Sequence, residues 1–176
     1  VVIVVTNPVD ALTFIAWKAT GFERNRVMGF GSMLDSARMR YIIAKKLGIP
    51  HSRISALVMG EHGEAMVCMF RYSYVDHTPL SAILSSEDMD AVRRMVKGAG
   101  AEIIRLRGYS STHAPGAGIA LLIKAILRDE KRVYPVTAIL NGEYGYRDIP
   151  LATPAVIGRR GVEKIVELDL NDDERR

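Results

Sequence analysis

The period of the apolar positions changes several times along the chain, and each change predicts an element. Val1 to Val5 is a continuous β-branched run, the pattern of a strand buried on both faces in a parallel sheet. Asn7 and Pro8 then read as a helix start, with Asn7 as N-cap and Pro8 at the first helical position. The apolar positions Leu12, Ile15 and Ala16 carry that helix to Thr20 and Gly21. VMGFG predicts a short strand, and MLDSARMRYIIAKKLG a helix with Lys45 and Lys46 in its last turn and Gly48 as its stop. RISALVMG reads as a strand entering the loop GEHGE, and AMVCMFRYSYV as a second strand ended by Asp76 and Pro79, so that two adjacent strands bracket His62.

From Ser86 to Arg107 the residues Met89, Val92, Met95, Val96, Ala99, Ile103 and Leu106 fall on one helical stripe, weakened at Gly98 and Gly100. Another helix is predicted from about Ala117 to Arg128, after the loop GYSSTHAPG. Arg132 to Leu140, the turn NGEYG, and the stretches Leu151 to Ile157 and Ile165 to Leu170 predict an antiparallel sheet built from hairpins. The last residues, NDDERR, carry acidic groups suited to the first turn of a helix. A chain that opens on VVIVVTNP and stops at such a helix start reads as an excerpt of a longer protein. The expected class is α+β, with helices packed on antiparallel sheets.

Composition narrows the function classes. With 176 residues, 48% of them apolar, the chain can bury one substantial core, and one domain is expected. The net charge of +4 comes from scattered doublets such as Lys45-Lys46 and Arg93-Arg94, without interleaved aromatics, which argues against nucleic acid and for solvated faces and a small anionic ligand. Cys68 is the one cysteine, which excludes an internal disulfide and fits a reducing cytoplasm; within AMVCMF it reads as a core thiol. No apolar run approaches the roughly 18 residues of a membrane span, so a soluble cytoplasmic protein is expected. His51, His62, His77 and His113 lack zinc-site spacing, and no metal is expected.

Three segments hold polar groups that packing alone does not ask for. In GEHGE, His62 stands between Gly60 and Gly63 in a loop able to turn tightly, and its imidazole, with an ordinary pKa of about 6.5, suits reversible proton transfer; the same pattern also describes a surface histidine. In LDSAR, Asp35 and Arg38 share a helix face. The planar guanidinium suits a carboxylate, and the aspartate could orient an imidazole; a helix-start acid in a surface ion pair would look the same. In TNPVD, Asn7 either caps a helix or lies where open α/β sheets bind ligands, at the exit of a buried strand. None of the three decides alone.

Taken in order, TNPVD, LDSAR and GEHGE resemble the lactate/malate dehydrogenase family, and the likeness continues through AWKATGF, VMGFG, HAPG, ILRDEKRVYPV, NGEYG and VIGRRGVEKIVEL, covering essentially the whole chain. The resemblance implies the C-terminal catalytic domain of that fold over residues 8–176, without its closing helix, preceded at 1–7 by the last strand of a Rossmann domain. It implies His62 as the acid-base residue, Asp35 as its partner and Arg38 as the clamp on the substrate carboxylate. Asn7 would lie beside nicotinamide and substrate, Val5 beside the cofactor, and Ser110 or Ser111 in the substrate pocket. The implied reaction is hydride transfer between NAD, with NADP the other candidate, and a 2-hydroxy acid, by a homodimer or homotetramer. GFGSMLDSARMR, GEHGEAMV and RYSYVDHTPL resemble the prokaryotic malate enzymes, implying malate/oxaloacetate and a tricarboxylic acid cycle setting ahead of lactate/pyruvate.

The family's GxGxxG turn, the acidic residue that reads the ribose, and the mobile loop carrying a second arginine find no counterpart, and no residue here is assigned to a second carboxylate. A catalytically silent module derived from such an enzyme is therefore the competing reading. An NAD-dependent glycosidase on the related fold would need a cysteine and histidine at a metal, and Cys68 is not placed for that.

Overall fold

In the computed structural model, which describes residues 1–175, the chain folds around one seven-stranded sheet, with a three-stranded sheet beside it. Strand β1 (Val2–Val4) leads through a cis Asn7–Pro8 peptide bond into helix α1 (Val9–Thr20), followed by β2 (Val27–Gly29) and α2 (Ser32–Leu47). Four short strands come next, β3 (Ile54–Ser55), β4 (Val58–Gly60), β5 (Met66–Cys68) and β6 (Tyr74–Val75), then β7 (Thr78–Pro79). Helices α3 (Ser86–Arg107) and α4 (His113–Leu127) precede the long strands β8 (Arg132–Asn141) and β9 (Arg147–Gly158), then β10 (Gly161–Ile165) and a single turn, α5 (Asp172–Arg175).

The large sheet runs β1-β2-β8-β9-β4-β5, with β10 also paired to β9. Only β1 and β2 are parallel; every other pairing is antiparallel. As expected, the β8–β9 hairpin turns at Asn141 to Gly145, where Gly142 and Gly145 take the positive φ that a side chain would resist. Two apolar clusters form the core. One joins α2 and α3 to β4 and β5 through Met39, Ile43, Val58, Val92 and Val96; the other joins α4 to β2, β8 and β9 through Met28, Leu122, Val136 and Ile157. Cys68 lies in the first, and burial pushes its thiol up to about 11, so it stays protonated and inert at neutral pH.

Helices α2 and α3 match their sequence expectations, with Gly48 closing α2 in the left-handed conformation. Other expectations are corrected. Asn7 is not an N-cap: the carbonyl of Pro8 accepts from Leu12 N, Pro8 itself is extended, and α1 starts at Val9, so no side chain caps it. Its buried stripe is Val9 and Thr13 rather than Leu12 and Ile15, because the Thr13 hydroxyl donates to the Val9 carbonyl and is satisfied inside the core. β1 is only half-buried, since it lies at the edge of the sheet. The two strands expected around His62 are each divided: β4 and β5 belong to the large sheet, β3 and β6 to the small one. The Ser73 hydroxyl, accepting from Leu57 N and donating to the Met69 carbonyl, braces the bend. α4 begins at His113, because Pro115 sits in the first turn, where no intrahelical N–H is missed. The last sheet strand is Gly161–Ile165 rather than Ile165 to Leu170. On α3, Val92 and Val96 are buried but Met95 and Leu106 face outward. No helix among the described residues is long and apolar enough to cross a membrane.

Candidate active site

The carboxyl ends of the parallel strands β1 and β2 open onto a cleft of about 600 Å³. This is the place where open parallel sheets present ligands, since backbone groups and helix starts converge there. α2 begins on the cleft side immediately after β2, and its first turn carries Asp35, whose side chain is completely buried. A carboxylate so placed is costly unless paired. Two partners meet it: Arg38 Nη1 donates to Oδ1 at 3.0 Å, one helical turn on, and His62 Nδ1 lies 2.5 Å from Oδ2.

His62 reaches Asp35 from the opposite side, on the 61–65 loop that joins β4 to β5. Gly60 opens this loop at φ +89°, a conformation that a β-carbon would strain. Because a carboxylate can only accept, Nδ1 is the donor, and the ring presents Nε2 to the cleft. The hydrogen bond to Asp35 raises the His62 pKa above 6.5; burial and the Arg38 charge oppose this, while the Asp35 and Asp10 charges add to it. The result is an imidazole held in one tautomer that keeps its proton to higher pH than a free histidine. Arg38 Nε is buried and has no hydrogen-bond partner among the described residues, so part of the guanidinium retains donor capacity beside the Asp35 bond.

The other residues expected from the sequence fall on the same cleft. Asn7 and Val5 line it at the end of β1, and Ser110 and Ser111 line it from the segment between α3 and α4. The structure thus brings together every side chain expected at the site, although no hydrogen bond links Asn7, Ser110 or Ser111 to His62, Asp35 or Arg38. Chemically the arrangement offers a proton donor and acceptor at His62 Nε2, a guanidinium suited to an anionic group, and polar rims on two sides.

Several contributors escaped the sequence reading. Asp10, in the first turn of α1, accepts from His62 N at 2.8 Å and from the Thr137 hydroxyl at 2.7 Å. Ser36, beside Asp35, accepts from Val58 N at 2.9 Å and ties α2 to β4. Gly31 lets the His62 ring lie against the backbone; a β-carbon there would stand 2.6 Å from His62 Cγ. Lys97 lines the cleft from α3, three residues before Gly100, where a β-carbon would come within 3.5 Å of the Arg38 guanidinium. TNPVD did contain a signal for Asp10, an acid at the second position of a helix, but a helix-dipole role explains such a residue equally well.

Comparison with known proteins places these features in a common frame. The family described as lactate/malate dehydrogenase, alpha/beta C-terminal domain, matches residues 32–176. Malate dehydrogenase of Aeropyrum pernix is 49% identical over 176 residues, all of this chain and 57% of that protein. The malate dehydrogenase of Halalkalibacterium halodurans is 44% identical over 175 residues, 99% of this chain and 56% of its own length. Among solved structures, the Aeropyrum pernix malate dehydrogenase superposes with a TM-score of 0.96 at 48% identity, covering 99% of this chain and 57% of that one. Lactate dehydrogenase from Eimeria maxima with NADH and oxamate gives 0.93 at 33% identity, covering 98% and 54%. The chain therefore spans little more than half the length of the relatives it matches.

Proposed function

Since this chain belongs to the lactate/malate dehydrogenase family, we propose that it supplies the catalytic half of an enzyme that interconverts a 2-hydroxy acid and its 2-oxo acid, with malate and oxaloacetate as the pair. The observation that carries the reading is the buried Asp35 joined to both His62 and Arg38 on one cleft. Arg38 binds the carboxylate next to the reacting carbon, because its planar fork matches that group. His62 Nε2 then faces the C2 oxygen, giving its proton in reduction and taking it back in oxidation, while Asp35 stabilises the protonated ring. Asn7 and Val5, at the carboxyl end of β1, would hold the nicotinamide end of NAD. When bound, the nicotinamide supplies or accepts the hydride at C2.

Residues 1–7 close the cofactor-binding part of the full-length enzyme in this reading, and residues 8–176 form the substrate-binding part. The Aeropyrum and Halalkalibacterium relatives support malate over lactate, and Lys97 adds a second cation to the cleft wall for a dicarboxylate. A cytoplasmic homo-oligomer is proposed on the same family grounds, and the exposed apolar residues Leu121, Ile123 and Leu127 of α4 are consistent with a further packed surface. Steady-state assays of the full-length enzyme with oxaloacetate and pyruvate, each with NADH and NADPH, test the reading. Oxaloacetate with NADH is expected to give the highest kcat/KM, and a pyruvate preference overturns the substrate assignment. His62→Asn is expected to lower turnover about 10²–10⁴-fold, the usual worth of a positioned acid-base group. Wild-type turnover in that variant removes His62 from the mechanism.

A further inference from the structure

The proposed chemistry leaves Asp10 without a task, yet both oxygens of its carboxylate are engaged. Oδ2 accepts from the backbone N–H of His62 at 2.8 Å, and Oδ1 from the Thr137 hydroxyl at 2.7 Å. Thr137 is fully buried on β8, so its hydroxyl has no water to turn to and fixes the carboxylate from below. The first turn of α1 can sit this close to the sheet because β2 has Gly29 opposite Thr137: a β-carbon there would stand 2.5 Å from Thr13 Oγ1 and 2.8 Å from Thr137 Cβ. Other hydrogen bonds at the His62 loop, Ala65 N to Glu61 Oε2 and Met66 N to Gly63 O, are internal to it. They set its shape, β4 and β5 place its two ends on the large sheet, and Asp10 ties its middle to α1. Asp35 holds the ring of His62; Asp10 holds its backbone.

We propose that Asp10 is a positioning residue: it latches the His62 loop to the start of α1, so that His62 and Asn7, three residues before Asp10 in the segment that leads into α1, keep one register across the cleft. The inference rests on the reading of His62 as the proton donor, and it adds a separate requirement. A ring anchored only through Nδ1 can pivot about the Asp35 bond. Fixing the backbone N–H of the same residue removes that pivot and sets where Nε2 points. A displacement of about 1 Å in such a group costs on the order of 10²-fold in rate.

The variants Asp10→Ala and Asp10→Asn of the full-length enzyme separate the latch from a helix-start role. Asparagine keeps an oxygen able to accept from His62 N, whereas alanine removes it. Asp10→Ala is expected to lower kcat for oxaloacetate reduction by about 10- to 100-fold, with KM changed by less than about threefold, because misplacement harms the reacting geometry more than carboxylate binding. Asp10→Asn is expected to retain kcat within about fivefold of wild type. The charged groups around His62 are Asp35 and Arg38 from α2, Asp10 from α1, Lys97 from α3, and Glu61 and Glu64 of its own loop. Both variants remove one negative charge from this set, so both should move the alkaline limb of the pH profile to lower pH whatever Asp10 holds, and the latch is read from the kcat that Asp10→Asn keeps and Asp10→Ala loses at a nearly constant KM. Wild-type kcat in Asp10→Ala overturns the proposal, and so does an equal loss of kcat in the two variants. If Asp10→Ala does not fold, Thr137→Val takes its place: a severalfold fall in kcat at constant KM supports the latch, and an unchanged kcat overturns it. His62→Asn measured alongside keeps the two ideas apart. An inactive His62→Asn beside a normal Asp10→Ala defeats only the latch, whereas an active His62→Asn defeats the reading on which it rests.

Discussion

A histidine bonded through Nδ1 to a buried carboxylate is held in one tautomer and gains its proton more readily than a free one, and both effects depend on Asp35. The raised His62 pKa ties protonation to folding. The protonated ring contributes stability that is fully present below about 6.5 and is lost as the pH rises through the raised folded value. In the proposed reaction, oxaloacetate reduction draws on the same protonated form, so its kcat/KM should fall along that alkaline limb. Asp35→Asn removes the largest cause of the shift and leaves burial to act against the charged ring. The limb is expected to move to lower pH, and the denaturation midpoint should no longer decline across the same interval. A pH-rate profile with its limb unmoved would assign the shift to another neighbour. His62, Asp35 and Arg38 were candidates at this scale because an imidazole, a carboxylate and a guanidinium each have a chemical use. Spacing left a surface histidine and a helix-start ion pair equally open, and their roles came from the order of TNPVD, LDSAR and GEHGE that resembles the family. Asp10 and Lys97 were not candidates, since an acid in a first turn and a lysine on a helix are ordinary features until their partners across the fold are known.

Elements place these side chains by how closely their backbones approach, and two glycines show opposite uses of the same residue type. At Gly31, where α2 starts, an added β-carbon would meet His62 Cγ at 2.6 Å and His62 Cβ at 2.8 Å, the root of the side chain rather than a flexible end. Gly31→Ala is therefore expected to push the ring off Asp35 and lower kcat at least about tenfold. At Gly98, inside α3, nothing lies within 4 Å of the added carbon, so Gly98→Ala should leave kcat unchanged and stabilise the fold by about 0.8–1 kcal/mol through helix propensity. Thermal unfolding and steady-state kinetics on both variants check the pair; a Gly31→Ala enzyme with normal turnover would show that the loop yields freely. Long periodic segments such as α2 and α3 were legible because a dozen or more residues reinforce one period. The breaks between β3 and β4 and between β5 and β6 were hidden, since strands of two or three residues carry no period and their sheet membership is set by pairing with distant strands, β4 with β9 and β3 with β6.

At the scale of the whole molecule, the proposed function divides the labour: these residues would carry the proton-transfer and carboxylate-binding groups, whereas a dinucleotide also needs a site for its pyrophosphate. Such sites use a glycine-rich turn that leaves a strand and opens a helix, so that backbone N–H groups approach the phosphates at the helix start. The helix starts after β1 and β2 are led by TNP and FGS, and neither segment contains GxGxxG. Holding two reactants in register supplies about 7–11 kcal/mol of a bimolecular barrier, and a piece that does not hold the cofactor forfeits that contribution. Residues 1–176 alone are therefore expected neither to bind NADH tightly nor to transfer hydride, although His62, Asp35 and Arg38 are assembled in them. Fluorescence titration with NADH is expected to show no saturation in the micromolar range, and activity should appear only when the remainder of the full-length enzyme is supplied in trans or by fusion. Micromolar binding by the 176-residue chain would relocate the cofactor site to residues assigned here to the substrate, with Lys97 and Arg38 the first cations to test against the pyrophosphate.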